Sequence, residues 1–278
     1  MRRQRIINKI LGYLIVGGGG LIMMMPFVWL VSSSFKAPQK IYVFPPQLIP
    51  DPFRWENYIE VFSAVPVLLY AQNTLIITFF STIGTTISSI LAGYAFGRLT
   101  FKGRDTIFSL LLATLMLPYV VTMIPIYVMF SKIGWVNTLL PLIIPSFFGD
   151  AFYIFLLRQF FRTIPKELED AARIDGAGRL RILFQIMVPL ARPAVVVVTI
   201  QTILDNWNAF MQPLIFLTKR NVWTLALGLN SLQRFEAGRD WTHYMMVLGV
   251  FMVVPVIMLY FAAQREFIQG IVLTGLKG

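Results

Sequence analysis

The sequence predicts an all-α polytopic membrane protein with six transmembrane helices. Of its 278 residues, 57% are hydrophobic and only 13% are charged. A soluble domain of this length cannot remove so much apolar surface from water, whereas a chain with several bilayer-spanning helices requires that composition. Six apolar runs, each long enough to cross a bilayer, are separated by polar segments. Composition and the spacing of these polar interruptions therefore predict the fold class.

The six predicted spans form one transmembrane domain over residues 1–278. They lie at residues 10–31, 70–96, 106–130, 138–161, 190–217 and 243–263. The first run is too long for a signal peptide and lacks a small-residue cleavage site, so we expect it to remain as an anchor. In the proline-rich connection that follows, residues 53–62 are expected to form a short helix at the membrane surface. The third span contains Pro118 and Pro125, which are tolerated where neighbouring helices or a cavity satisfy the freed carbonyl groups.

The distribution of basic residues predicts the orientation of the chain. With the N-terminus inside, 16 of the 24 Lys and Arg residues lie on inner segments and eight on outer segments. Such an excess on the inner side predicts that both termini are cytoplasmic. The formal net charge of +11 therefore follows from membrane topology, and no nucleic-acid partner is predicted.

Several functional classes are disfavoured by the residues that the sequence lacks. It has no cysteine, which excludes disulfides and thiolate metal sites, and its single histidine, His243, cannot form a His-rich metal site. No G-x-x-x-x-G-K-[S/T] motif occurs, and the glycine run at residues 17–20 lies inside a predicted span. We therefore predict no catalytic residue, no cofactor and no metal in this chain.

The longest polar interruption, residues 158–193, contains seven basic and four acidic residues. Pro165 suits the first position of a helix, and the acidic residues after it lie near the positive end of the helix dipole. Gly176 is a natural helix stop. After Gly178 a second amphipathic run begins, so the stretch predicts two short helices at about residues 163–188.

This stretch resembles a motif of the permease subunits of binding-protein-dependent ABC importers. That motif reads Glu-Ala-Ala, three residues, Gly, nine residues, Ile, one residue, Leu-Pro. The corresponding positions are Asp170-Ala171-Ala172, Gly176, Ile186 and Val188-Pro189. Asp170 replaces the usual Glu and Val188 the usual Leu; both changes are conservative. The C-terminal QGIVLTGLKG is similar to the ends of maltose-type permeases, and the whole chain resembles the second permease subunit of those systems.

The resemblance implies the type I, MetI-like permease fold in a bacterial or archaeal cytoplasmic membrane. Its implied partners are a second homologous permease, two ATP-binding subunits that hold ATP and Mg²⁺, and an extracytoplasmic solute-binding protein that contacts the outer segment 218–242. The first of the two short helices would dock in a groove of the ATPase. Its small residues would allow close approach, while its charged residues would face the rim of the groove. The implied contact residues are Glu169, Asp170, Ala171, Ala172, Arg173 and Gly176, with Gly275 and Lys277 of the tail as a second contact.

Two carboxylates fall within predicted spans, Asp150 near the middle of the fourth and Asp205 near the middle of the fifth. Intramembrane carboxylates are costly and are therefore functional candidates. Asp205 begins a cluster that comprises Asp205, Asn206, Trp207, Asn208 and Gln212. Trp207 offers an aromatic face for a sugar ring and the amides offer paired donors and acceptors. Pore lining, direct substrate contact and helix–helix hydrogen bonding are all compatible with this cluster.

We therefore predict the permease subunit of an ATP-driven importer, with a carbohydrate as the expected solute, that forms half of a translocation pore. The Trp-Asn pair at Trp207 also resembles carbohydrate-importer permeases. Mono-, di- and oligosaccharides, polyols and glycerol phosphate are all compatible with the sequence. The alternative is a proton-coupled secondary transporter in which Asp150 and Asp205 carry the protons. A membrane scaffold without transport would leave the Asp170–Pro189 motif unexplained.

Overall fold

The computed structural model describes residues 2–234 and 240–275, and within these ranges the regular structure is helical. The α-helices are α1 (Arg2–Ser34), α2 (Asn57–Ala64), α3 (Val67–Arg98), α4 (Arg104–Thr114), α5 (Tyr119–Lys132), α6 (Leu140–Ile143), α7 (Ala151–Thr163), α8 (Glu167–Ile174), α9 (Arg179–Ile182), α10 (Val188–Leu190), α11 (Arg192–Trp207), α12 (Met211–Phe216), α13 (Leu225–Arg234) and α14 (Thr242–Gly275). A 3₁₀ turn, Ile144–Phe148, precedes α7, and a π-helical turn, Leu183–Met187, joins α9 to α10.

Between four and six membrane spans are present in the described residues. Four helical segments are long and apolar enough to cross a bilayer alone, namely Lys9–Ser34, Val67–Arg98, Leu140–Thr163 and Thr242–Gln264. Two bent helix pairs would each complete a further span. These are α4 with α5, bent by 99°, and Arg179–Leu190 with α11, bent by 84°. The six predicted spans correspond to the upper figure.

The predicted third span, residues 106–130, is not one continuous helix. It is divided into α4 and α5, and Pro118 precedes α5 with an extended backbone, φ −62° and ψ 136°. Pro118 lacks an N–H and its ring disfavours helical geometry at the preceding residue, so the helix ends before it. By contrast, Pro125 lies inside α5. The structure therefore distinguishes two prolines that the sequence pattern treated alike.

The predicted fourth and fifth spans are also interrupted. Residues 138–161 contain α6, the 3₁₀ turn and most of α7, with Gly149 at a φ of +93° just before α7. This left-handed backbone conformation is the one that glycine adopts without steric penalty. Residues 190–217 divide into α11 and α12 at residues 208–210. The apolar runs predicted long helical segments but not where their helices break.

The chain separates into two compact units. Unit 1 comprises residues 1–67 and 228–254. In it, the buried amide of Asn57 donates to the carbonyl oxygens of Ser34 and Lys36, each at 2.9 Å, and so fixes the connection that follows α1. The ammonium of Lys36 lies 3.9 Å from the ring centroid of Trp29, and burial lowers the pKa of Lys36. The surface helix predicted at residues 53–62 is observed as α2, which begins later.

Unit 2 comprises residues 68–227 and 255–278 and contains two buried cores. The first core joins α3 and α7 to the segments from α8 to α11, with Leu157, Phe161 and Met187 fully buried. The second joins α3, α5 and α12 and includes Ile77, Phe130, Phe216 and Leu217. Helix α3 therefore contributes to both cores.

Helices α3 and α7 approach closely because α3 presents glycines at their contact. A Cβ added to Gly93 would lie 2.9 Å from the Cβ of Leu157 and 3.2 Å from the backbone nitrogen of Arg158. A Cβ added to Gly97 would lie 3.3 Å from the carbonyl oxygen of Arg158. Small residues allow this backbone approach in membrane helices, where close contact rather than water exclusion drives association.

We expect Gly93→Ala to destabilise the protein by about 1–3 kcal/mol, because the new methyl group overpacks the contact with α7. Thermal unfolding of the detergent-solubilised protein should occur at a lower temperature than in the wild type. Gly18→Ala is the matched control, since a Cβ at Gly18 meets nothing within 4 Å. Equal melting temperatures for the two variants would contradict the close-contact role of Gly93.

Candidate functional site

The segment that the sequence singled out forms the predicted short helix, α8. Glu167, Glu169 and Asp170 occupy its first turn and Arg173 its last, as the helix dipole favours. The helix ends at Ile174, and Gly176 follows with a φ of +79°. The backbone N–H of Gly176 donates to the carbonyl of Arg173 at 3.0 Å, which closes the helix end. The predicted helix and its glycine stop are both confirmed.

Glu169 does not lie on the exposed rim where we had expected it. Its side chain is 5% exposed and forms an ion pair with Arg98 of α3, whose side chain is 3% exposed, at 3.0 Å between Nε and Oε1. The other carboxylate oxygen lies 3.5 Å from an Arg173 nitrogen. Position 169 faces the body of unit 2, because Ala172, one helical turn later, is buried in the first core. Glu169 and Ala172 therefore attach α8 to α3 and to the first core.

The face of α8 available to a partner consists of the remaining positions. Asp170, Ala171, Arg173 and Gly176 are exposed, as predicted. The side chain of Ile174 is 87% exposed, and Leu168, Leu180 and Phe184 are also exposed. Sequence reasoning missed Ile174, although its position three residues after Ala171 places it on the same helix face. We call Leu168, Ala171, Ile174 and Leu180 the apolar docking face.

A cavity of about 910 Å³ lies within unit 2. Its walls come from α3, α5, α7, α11 and α12 and from the 3₁₀ turn before α7. Of the predicted residues it includes Asp150, Asp205, Asn206 and Gln212, but neither Trp207 nor Asn208. The broken helices predicted as spans three to five thus surround a common space.

Asp150 does not lie in the middle of a helix, as we had predicted, but at the N-cap of α7. Its Oδ1 accepts hydrogen bonds from the backbone N–H groups of Phe152 and Tyr153 at 2.9 and 3.1 Å. This arrangement satisfies two otherwise unpaired donors and places a carboxylate at the positive end of the helix dipole. The interruption at Gly149 is what makes this position a helix start, and the apolar run of the sequence concealed it.

Asp205 connects two helices across the cavity wall. Its Oδ2 accepts a hydrogen bond from the hydroxyl of Tyr153 on α7 at 2.7 Å. Its Oδ1 accepts from the side-chain amide of Gln201, one turn earlier on α11, at 3.1 Å. Both carboxylate oxygens are thus occupied as acceptors, and Asp205 joins α11 to α7.

The remaining members of the predicted cluster point in different directions. The amide of Asn206 donates to the carbonyl of Thr202 at 2.8 Å, and that of Asn208 to Leu204 at 2.9 Å. Trp207 is 7% exposed, so its indole is in the interior and does not present a face to the cavity. The structure therefore does not place Trp207 at the cavity with Asn206, because the helical turn points residues 206 and 207 in different directions.

Aromatic side chains that the sequence did not single out line the cavity. The walls include Tyr119, Trp135, Phe148 and Tyr153. Phe148 is 82% exposed, and the hydroxyl of Tyr119 has no hydrogen-bond partner among the described residues. Tyr153 could have been found from the sequence, because it lies three residues after Asp150 and therefore on the same face of a helix.

The remaining expectations concern a metal site and the C-terminal tail. The described residues contain no group of three or more His, Asp or Glu side chains placed to hold a metal ion. In the predicted tail contact, Gly275 is the last residue of α14, whereas Lys277 lies outside the described residues.

Comparisons with known proteins agree with this architecture. Residues 89–272 match the family described as "Binding-protein-dependent transport system inner membrane component". The inner membrane ABC transporter permease protein YcjP of Escherichia coli is 31% identical over 261 residues, which cover 93% of this chain and 92% of YcjP. The arabinooligosaccharides transport system permease protein AraQ of Halalkalibacterium halodurans is 31% identical over 281 residues, which cover 99% of this chain and 100% of AraQ.

A solved structure has the same fold. A chain of a bacterial ABC transporter involved in the import of the acidic polysaccharide alginate superposes with a TM-score of 0.84. The alignment covers 96% of this chain and 98% of that chain, at 23% sequence identity. The predicted fold class is thereby confirmed.

Asp150→Ala should destabilise the protein by about 1 kcal/mol, because it removes the N-cap acceptor of α7. Asp150→Asn keeps an acceptor oxygen and should melt close to the wild-type temperature. The measurement is thermal unfolding of both purified variants in the same detergent. If both substitutions lowered the melting temperature equally, the charge rather than the cap would be responsible.

Proposed function

Because the chain belongs to the family of binding-protein-dependent transport system inner membrane components, we propose that it forms half of the pore of an ATP-driven carbohydrate importer. The observation that carries this proposal is the presence, in one compact unit, of a short helix with an exposed apolar face, α8, and of a cavity whose mainly apolar wall carries several polar side chains. The chain is a transport subunit rather than an enzyme. A second permease of the same family supplies the other half of the pore.

The energy source lies in partner subunits. Two ATPase subunits bind ATP and Mg²⁺, and one docks on α8 in the helix-in-groove mode. Ile174 inserts at the centre of the contact, while Asp170 and Arg173, exposed and 3.7 Å apart, lie at its edge. Gly275 and Lys277 form the second contact. Closure of the ATPases moves α8 and turns the cavity toward the solute-binding protein, and hydrolysis resets it.

The orientation proposed from the basic residues completes this arrangement. Both termini and α8 face the cytoplasm, and the segment after α12 faces the outside. This placement puts the docking face where ATP is present and leaves residues 218–234 toward the binding protein. The chain is thus a multi-pass protein of the inner membrane.

The cavity chemistry supports a hydroxyl-rich solute. The amides of Asn206 and Gln212 and the carboxylate of Asp205 line the cavity and offer donors and acceptors. Phe148 offers an exposed ring against which a sugar ring can stack. AraQ is named for arabinooligosaccharides, and a protein with the same fold belongs to an importer of a polysaccharide.

The proton-coupled alternative has no support from the comparisons. Its two proposed proton carriers are occupied as hydrogen-bond acceptors, Asp150 by the α7 backbone and Asp205 by Tyr153 and Gln201. Asp205 is therefore proposed to fix the cavity wall rather than to carry protons.

Ile174→Glu should abolish co-purification of the ATPase subunits with the permease, because it places a charge at the centre of an apolar contact. The measurement is the ratio of ATPase to permease after affinity purification through the permease. Ile49→Glu is the matched control, since Ile49 is 82% exposed, close to the 87% of Ile174, and lies outside α8. An unchanged ratio in Ile174→Glu would contradict the proposed docking face.

Asp205→Asn should lower ATP-driven uptake less than about tenfold, because one neutral hydrogen bond contributes about 0.5–1.5 kcal/mol. The Asn oxygen still accepts from Tyr153, and Gln201 can rotate its amide to offer an oxygen to the new NH₂ group. Uptake is measured in proteoliposomes with labelled maltose, lactose and arabinotriose, at several pH values. Collapse of uptake together with loss of its pH dependence would support proton coupling instead.

A further inference from the structure

Helix α3 is a long helix of unit 2, and each of its two ends is bonded to another segment of that unit. Its 32 residues contain no proline, so it extends about 48 Å at roughly 1.5 Å per residue. By contrast, the predicted spans three to five are interrupted. A continuous helix of this length reaches from one side of a bilayer to the other.

One end of α3 is attached to α8 by the buried pair Arg98–Glu169. The two side chains are 3% and 5% exposed and lie 3.0 Å apart. Arg98 also donates a hydrogen bond to the carbonyl of Ile164, in the connection that leads from α7 to α8. Separating these charges would leave Arg98 buried with only the Ile164 carbonyl as a partner, and Glu169 buried with only the half-exposed Arg173. A displacement of α8 therefore carries the end of α3 with it.

The opposite end of α3 holds the segment 221–225, which follows α12. The amide of Asn73 donates to the carbonyl oxygens of Asn221 and Trp223 at 3.1 and 2.9 Å. The hydroxyl of Thr74 accepts from the backbone N–H of Leu225 at 2.9 Å. Asn73 and Thr74 are buried, so these bonds are shielded from water. The side chain of Asn221 itself is exposed.

We propose that α3 acts as a transmission rod, so that the nucleotide state of an ATPase on α8 sets the position of residues 221–225 on the other side of the membrane. The proposal rests on the ATPase docking described under the proposed function. Arg98 and Glu169 are positioning residues at one end, and Asn73 and Thr74 at the other. Because energetic coupling is reciprocal, a protein bound at residues 221–225 alters nucleotide binding at the ATPase through the same rod.

The cysteine-free sequence permits a direct test with one introduced reporter. Asn221→Cys is placed in the permease, and the complete transporter, with its ATPase subunits, is reconstituted in lipid nanodiscs. The rate at which a charged maleimide labels the introduced thiol is measured without nucleotide and after trapping with ATP and vanadate. The rod predicts a nucleotide-dependent rate in this background and loss of that dependence when Glu169→Gln is added.

Matched variants separate transmission from docking and from folding. Glu167→Gln neutralises an exposed acid on the same helix and should leave the response intact. Arg98→Gln, which removes the other charge of the pair, should abolish the response as Glu169→Gln does. Asn73→Ala, at the opposite end of α3, should remove the response of the introduced thiol while the ATPase subunits still co-purify and hydrolyse ATP.

The outcomes distinguish the inference from the proposed function. A full nucleotide response of the introduced thiol in either Glu169→Gln or Asn73→Ala overturns the rod. Loss of response in both, with the ATPase still bound and with the response intact in Glu167→Gln, supports it. If no ATPase co-purifies with the wild-type permease, the proposed function is overturned and the inference with it.

Discussion

The buried ion pair between Arg98 and Glu169 determines how the docking helix is attached to the rest of unit 2. It lies where α3, the end of α7 and α8 meet, and Arg98 also bonds the Ile164 carbonyl in that junction. Two charges removed from water are stable only when they remain together, so the pair defines one arrangement of these helices. The glycines of α3 reinforce it, because they let α7 approach at backbone distance. The short helix α8 is thereby packed against the core that α3 and α7 share.

Because of this attachment, the two faces of α8 have different roles. A helix of eight residues presents little more than two turns, and one side is taken by Glu169 and Ala172. The other side retains Ala171 and Ile174, which are exposed and are therefore suited to a partner. Attachment and recognition use different faces of the same short helix. The cavity is formed by other helices of the same unit, so α8 is joined to its walls through α3 and α7.

The sequence was sufficient for features that depend on composition and local pattern. It predicted the membrane class, α8 with its stop at Gly176, and the involvement of Asp150 and Asp205 in one region. It failed where the surroundings of a side chain depend on the direction in which the folded chain points it. Glu169 looks like an exposed acid until Arg98, 71 positions earlier, is placed beside it. Trp207 looks like a pore residue until the turn of α11 directs it inward, and the helix start at Asp150 depends on the backbone of Gly149.

The two carboxylates of the cavity have a consequence for ions. Its described lining residues include Asp150 and Asp205 but no lysine, arginine or histidine. A cleft lined by charge of one sign, with low-dielectric walls, raises the local concentration of counter-ions. Ionised carboxylates in such a wall attract cations and repel anions. In the proposed transport cycle the cavity must therefore never open to both faces of the membrane at once, because the carboxylate that helps to hold its wall also favours leakage of cations along their gradient.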